Sequence, residues 1–419
     1  MIQQIYNMNM GTNVEHIVTT IYAKQRASII VNREMTPNIE IGKGVRQGCP
    51  LSPLLFIFSL EILHRRIRSN PNIKGLTIKK EEFKLQAFAD DMVFFIEDPL
   101  ETGEYLMKEL ERYGEVAGLK INKQKTKLLS KNLTKLQQLE LEKKIGLESV
   151  KKIKYLGIWL TPRIKSLKKD NYDILIQQVK KDLELWAKLQ ISFLGRIAAI
   201  KMTILPKMLY LFQTIPIKLE KKFFEEMNKI TRKFIWLNKK PRIKLKALQD
   251  IKSRGGMTLP NWELYYRSAV LIWTKEWINL NNRRILSLEG HDLQKGWHAF
   301  LWEPNLKKQQ YFHRHLIRDS ILQNWIKIKK KHYLKIPLWV SPIDIIVHPN
   351  NLDLRKRLKY KDILNSNGNM KSREELGKQG IQIDWWTYLQ VQYRYKKDNK
   401  EQGIDKKNST IRQNINRIG

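Results

Sequence analysis

Residues 87–98 read AFADDMVFFIED, and the adjacent pair Asp90 and Asp91 limits what this chain can fold into more than any other feature. Acidic side chains are usually exposed, because an unpaired charge taken out of water is unfavourable. Here both interrupt a run that is apolar on either side. Residues 84–96, KLQAFADDMVFFI, hold two short runs rich in β-formers separated by the two aspartates, and two-residue loops are the commonest hairpin connections. The expected structure is a β-hairpin with both carboxylates projecting from its tip. A surface hairpin would alternate polar and apolar residues, whereas Met92 to Ile96 is continuously apolar, so this hairpin is expected to be buried and its tip held rigidly. An ordinary Asp-containing turn between surface strands is the plainer alternative.

The flanking segments add chemistry to the pair. In IGKGVRQGCPLSPLLFIFSLEILHRRI, residues 41–67, Gly42, Gly44 and Gly48 mark a flexible loop, and Ser52 followed by Pro53 suits an N-cap and first helical position. Arg46 offers a fork of donors suited to phosphate, and Gln47 an amide able to position a base or ribose. A Gly/Pro loop with a solvated arginine fits the same residues. Downstream, GLKINKQKTKLL (118–129) places Lys120, Lys123, Lys125 and Lys127 after a helix-like segment from Glu101 to Val116. These lysines suit an exposed strand, or phosphate contacts close to the acidic pair. KYLGIWL, residues 154–160, reads as a short strand or hairpin in which Gly157 allows close backbone approach.

Charge narrows the partners. The 419 residues carry 78 Lys+Arg against 41 Asp+Glu, a formal net charge of +37. Such a field favours a polyanion, above all nucleic acid, over a merely solvated basic surface. The longest apolar stretches are cut by Glu61 or by Lys201 and Lys207, so no transmembrane helix is expected and no membrane partner. The start, MIQQIYNMNM, shows no secretory signal, which points to an intracellular protein of the cytoplasm or nucleus. Cys49 is the single cysteine, so an internal disulfide and a Cys/His zinc module are both excluded.

From Asn171 the hydrophobic period changes. Tyr172, Ile176, Val179, Leu183 and Trp186 recur at helical spacing, so residues 165–250 read as helical. Phe234 and Trp236 lie among Arg232, Lys233, Lys239, Lys240, Arg242, Lys244 and Lys246, a mixture suited either to nucleic-acid stacking or to core aromatics beneath a solvated basic face. The rest, rich in tryptophan and basic residues, should be mostly helical, and the stretch from Tyr395 onward is expected to fray.

Taken in order, RQGCPLSPLLF, AFADDMVFF, GLKINKQKTK and YLGI resemble motifs B, C, D and E of the palm of a reverse transcriptase. SFLGRIAAIKMTILPKMLYLFQTIP, FIWLNKKPRIK and SRGGMTLPNWELYYRSAVL resemble the thumb and following segments of non-long-terminal-repeat retrotransposon enzymes, specifically the second open reading frame product of long interspersed nuclear elements. The resemblance runs from about Ile17 to Trp277, and more weakly to Trp386. It implies an α+β fold: a partial fingers and palm over 1–163, an antiparallel sheet with helices, then a helical thumb over 164–250, a basic helical region over 251–394 and a disordered tail over 395–419. It also implies an RNA-directed DNA polymerase that takes an RNA template, a DNA primer and deoxynucleoside triphosphates. Asp90 and Asp91 would be ligands of a two-Mg²⁺ site, Arg46, Gln47 and Gly48 would lie against nucleotide and template, and Lys125 or a near neighbour would face pyrophosphate.

One expected element is missing. The family carries a third metal carboxylate, the motif A aspartate, on a strand before motif B, yet no aspartate precedes Asp90, and Glu15, Glu34 and Glu40 lie outside any such apolar strand. The chain thus resembles an amino-terminally truncated copy, residues 1–14 match no recognised motif, and catalysis by the chain alone is not expected. The rival reading is a non-enzymatic RNA-binding protein that merely inherits the aspartates; a group II intron maturase, which shares the palm, fits the ILPKMLYLFQTIP segment less well.

Overall fold

The computed structural model of the chain describes residues 2–7, 9–42, 44, 45, 47–79, 81–303, 315–346 and 358–405. Two compact units meet in sequence at Ile153 and Lys154.

The first unit is organised by two helices. Ser52–Ser69 starts on Ser52 and Pro53, where a missing backbone donor does no harm, and buries Leu60, Leu63 and Ile67 at helical spacing. Ser52 is the first helical residue rather than the cap, and its hydroxyl pairs with the Tyr22 hydroxyl at 3.0 Å. Pro99–Ala117 opens on Pro99 and closes on Gly118, whose left-handed backbone (φ 69°) turns its N–H onto the Gly114 carbonyl. The Ser59 and Tyr113 hydroxyls join the two helices at 3.0 Å. Leu60, Leu63, Ile67, Ile73, Leu106 and Tyr113 form the core, with Leu85, Met92, Phe94 and Ile96 of the Asp-bearing hairpin packed against it.

Every strand among the described residues has a single partner. The expected antiparallel palm sheet is therefore a set of separate two-stranded ribbons packed on helices, and one of them, Lys127–Leu128 with Glu148–Ser149, is parallel. Strands of two to four residues offer too few ladder bonds and too little apolar face to recruit a third. The lysines at 120, 123 and 125 lie outside a strand as well: residues 123–125 form a turn, and only Lys127 joins a ribbon, where its ammonium pairs with Glu148.

At the sequence boundary between the two units stands the hairpin Ile153–Tyr155 and Ile158–Leu160, turned through Leu156 and Gly157 with φ of 45° and 79°. Positive φ at both central residues is what a tight hairpin of native twist requires. Helices follow, Ile174–Trp186, Leu205–Thr214, Lys221–Ile235 and Trp262–Leu271 among them. Tyr172, Ile176, Val179 and Leu183 are buried as the spacing predicts, and Trp186 is half-buried against Phe234. Aromatic rings dominate this core: Tyr172 meets Phe212 and Phe223 at 6.2 and 5.7 Å, and Tyr266 meets Phe212 and Phe224 at 5.4 and 5.3 Å. One apolar cluster runs from Tyr172 to Ile404, across the boundaries expected at 250 and 394. The stretch from Tyr395 does not fray at once. The Trp385–Glu401 helix continues through it, because Arg394 and Asp398 are buried in ion pairs there, and Ile404 then pairs with Ile336; residues 406–419 lie outside the described residues.

Tyr172 is both a core ring and a cap. Its buried hydroxyl donates to the carbonyls of Leu211 (2.9 Å) and Ile215 (2.7 Å) at the end of the Leu205–Thr214 helix, and burial holds the phenol well above its usual range, so it stays neutral. Tyr172→Phe keeps the ring and removes the hydroxyl bond, while the two carbonyls still accept the N–H groups of Ile215 and Ile217, and should lower stability by about 0.5–1.5 kcal/mol. The check is the urea midpoint, which should fall at unchanged slope.

Candidate functional site

The hairpin register pairs Leu85 with Phe94, Ala87 with Met92 and Phe88 with Asp91. The two loop residues are therefore Ala89 and Asp90 rather than the two aspartates: Asp90 occupies the turn, and Asp91 begins the second strand. Side chains alternate across the ribbon, so Leu85, Ala87, Met92 and Phe94 share the face that packs on the helices, while Asp91 shares the other with Phe88 and Val93. This second face is open, with Phe88 62% exposed and both aspartates exposed. The expectation of a buried hairpin is thus corrected to a half-buried one, since helices cover it from one side only. Ala89 takes φ 52°, a left-handed value unfavourable for a residue with a Cβ, at the first central position of the turn.

Behind the tip the ribbon is anchored. Lys84, 7% exposed, donates to the carbonyls of Arg68 (3.1 Å) and Asn70 (2.8 Å) at the end of the Ser52–Ser69 helix. A cation there satisfies free carbonyls and complements the helix dipole. Sequence reading missed Lys84, whose signal is a lone charge at the start of an apolar strand.

The remaining site residues occupy other segments. Gln47 and Gly48 form an exposed turn, where Gly48 has φ 85° and needs the freedom of glycine. Arg46 lies outside the described residues. Lys125 is exposed in its turn, its N–H bonded to Asn122. Among the described residues no hydrogen bond or ion pair joins these three segments to one another. The start of the Ser52–Ser69 helix carries a contact that sequence reading also missed: the Tyr22 hydroxyl donates to Cys49 Sγ at 3.6 Å, and that bond with those from Leu51 and Ser52 draws the thiol down to about 7. Farther on, Phe234 is buried and Trp236 half-buried against Phe193, while the basic residues from Arg232 to Lys246 are exposed, so these two aromatics belong to the core and the charges to a solvated face.

Asp90 and Asp91 supply hard oxygen donors of the kind Mg²⁺ takes. No group of three or more acidic, His or Cys side chains gathers around one point among the described residues, and Glu40, one of the earlier acids, is paired with Arg26 at 3.4 Å. Two adjacent carboxylates alone do not make a two-metal centre.

With this geometry in view, residues 2–160 match the family model of reverse transcriptase (RNA-dependent DNA polymerase). The chain is 30% identical over 156 residues to the transposon TX1 uncharacterized 149 kDa protein of Xenopus laevis, a match covering 36% of this chain and 12% of that protein. It is 36% identical over 83 residues to a retrovirus-related Pol polyprotein from a type-2 retrotransposable element of Drosophila melanogaster, and 47% over 58 residues to one from a type-1 element of Popillia japonica. Those matches cover 20% and 14% of this chain and 8% of either relative. Residues 2–160 are a reverse-transcriptase segment. Its retrotransposon relatives support the non-long-terminal-repeat class for that segment.

Substitutions in the hairpin separate anchoring from chemistry. Phe94→Ala, at a half-buried site on the helix-facing side, should destabilise by about 1–2 kcal/mol. Asp90→Ala, at an exposed turn, should stay within about 0.5 kcal/mol of wild type, and Ala89→Gly should stabilise by about 1 kcal/mol by removing the left-handed strain. Thermal unfolding of the three variants checks the order.

Proposed function

We propose that this chain is an RNA-directed DNA polymerase segment of a non-long-terminal-repeat retrotransposon that binds RNA template and DNA primer but does not extend the primer by itself. The family of residues 2–160 supports the substrate class, since reverse transcriptases take a template, a primer and deoxynucleoside triphosphates and work with divalent metal ions. The observation that carries the second half is the open hairpin, which presents two exposed carboxylates, with no group of three or more acidic, His or Cys side chains among the described residues. In this reading Asp90 and Asp91 are metal ligands, Arg46, Gln47 and Gly48 contact nucleotide and template, and Lys125 faces the departing pyrophosphate. The helical region over 164–250 acts as the thumb. No helix among the described residues is long and apolar enough to cross a membrane, and the net charge of +37 favours a polyanionic partner.

The open hairpin also suits the rival, an RNA-binding protein without catalysis. The two separate on the aspartates: a retained site binds Mn²⁺ through Asp90 and Asp91, and Asp91→Asn removes that binding, whereas a purely RNA-binding chain shows no such change.

Binding to a primer–template should fall by ~10³ or more between 50 and 200 mM salt if six or more phosphates are neutralised. Filter binding across that range checks this, and salt-insensitive binding would argue for contacts other than phosphate.

Primer extension tests catalysis directly. The chain alone, with RNA template, nucleotides and Mg²⁺, should give no product, because the ligands of two ions must be preorganised together. Supplying an aspartate-bearing strand fused ahead of the chain should restore extension, and Asp90→Ala or Asp91→Ala should then abolish it. Extension by the unmodified chain that Asp90→Ala removes would overturn the claim of incompleteness.

A further inference from the structure

The Trp385–Glu401 helix has two unlike sides. Tyr388, Val391, Arg394 and Asp398 are buried, and they hold the helix through the Tyr360 hydroxyl on Asp398 (2.7 Å) and the ion pair of Arg394 with Glu303 (2.9 Å). The opposite side carries Trp386, Leu389, Tyr393, Lys396 and Lys400, at alternating spacings of three and four. Trp386 is 69% and Tyr393 72% exposed. Together with Leu389 on the same side they form a contiguous exposed stripe rather than scattered single rings, and contiguous patches mark interaction sites. Neither has a ring or cation partner among the described residues, in contrast to Trp385, which stacks on Tyr388 at 5.8 Å beneath Arg373.

We propose that this face is a binding platform for single-stranded nucleic acid, with Trp386 and Tyr393 stacking on bases and Lys396 and Lys400 meeting the backbone phosphates. The seven-residue spacing of the two rings is two helical turns, about 10 Å along the axis, room for successive unpaired bases on one strand. A duplex hides its base faces, so the rings select an unpaired strand. The charges select the partner class. Past Tyr393 the stripe changes from rings to ammonium groups, and Asp398, buried against Arg394, does not offset them at the surface. A protein-docking helix would present a broader aliphatic face, and Leu389 is the one aliphatic residue in this stripe. The inference rests on the nucleic-acid reading above for the class of ligand only; the surface itself lies outside the residues matched to the reverse-transcriptase family.

The full chain is titrated against labelled oligouridine and oligothymidine, and in parallel against a primer–template duplex with no unpaired overhang. Trp386→Ala and Tyr393→Ala should each weaken single-strand binding by about five- to a hundredfold with the salt slope unchanged, and Trp386→Phe should keep most of it. Replacing Lys396 and Lys400 together with Ala should flatten the salt slope by about 1.4. Equal affinity for the two oligonucleotides makes the platform indifferent to sugar, and a preference for either assigns it to that strand; both outcomes uphold it. Ring variants that keep the wild-type unfolding midpoint and full single-strand affinity overturn the inference, even if the duplex is bound normally. Loss of self-association in those variants, with oligonucleotide affinity unchanged, would instead make the face a contact between copies of the chain. A wild-type chain that binds none of the three nucleic acids at low salt overturns this inference and the proposed function together.

Discussion

Two neighbouring carboxylates at the end of a two-stranded ribbon repel each other, and the ribbon itself has little stiffness to resist. Whatever order the Asp90–Asp91 tip possesses comes from behind it. Lys84 ties the start of the first strand to the end of the Ser52–Ser69 helix, and Leu85, Met92 and Phe94 seat one face on Leu60, Leu63 and Ile67. The other face is open, and both aspartates are exposed there. That arrangement leaves the carboxylates accessible, but it leaves their spacing to the turn, where Ala89 is already held in an unfavourable conformation.

In the second unit a few charges are internal. Arg318 is buried and grips Asp292 with both guanidinium arms at 2.6 and 2.9 Å, and Glu303 receives Arg394 and Lys295 at 2.9 and 2.8 Å. The Arg318 guanidinium holds the Asp292 carboxyl below its ordinary value, as a fork-shaped cation on a carboxylate should. Removing either partner would leave an uncompensated charge, so these pairs fix one packing of the tryptophan-rich helices. Exposed lysines and arginines, Lys239, Lys240, Arg242 and Lys244 among them, contribute the surface field that draws a polyanion.

Legibility in the sequence followed the strength of the local period. The stripe from Tyr172 to Leu183 is unambiguous because one helical face is buried throughout, and Gly157 announces its turn because both central residues need positive φ. The hairpin was legible as an element but not in its register. Counting apolar runs puts two aspartates in the loop, whereas the ladder places Asp91 opposite Phe88 and moves the turn by one residue. Burial was overstated at Phe88 for a related reason: an unbroken apolar run shows that a strand can be covered on both faces, not that a second cover exists. Interleaved aromatic and basic residues at 232–246 were ambiguous from the start, since spacing alone does not tell which ring turns inward, and tertiary packing took both Phe234 and Trp236. The open pair at Trp386 and Tyr393 has the same composition, and only exposure distinguishes it.

Under the proposed function, the lack of a third carboxylate near the pair among the described residues and the open hairpin are one deficit. A strand laid along a free edge of the Leu85–Phe88 and Asp91–Phe94 ribbon would satisfy unpaired ladder groups and stiffen the turn through added cross-strand contacts. If that strand ended in an acidic residue near the tip, it would bring the further hard-oxygen ligand that two ions need. Coverage of Phe88 and Val93 by the same segment would remove water from beside the carboxylates, strengthening their interaction with any cation held there. On that reading, stability, rigidity and metal affinity of the tip would be coupled through one edge. A substitution that merely adds a carboxylate elsewhere on the surface would supply charge without the ladder, and the tip would stay as hydrated and as loosely spaced as it is now.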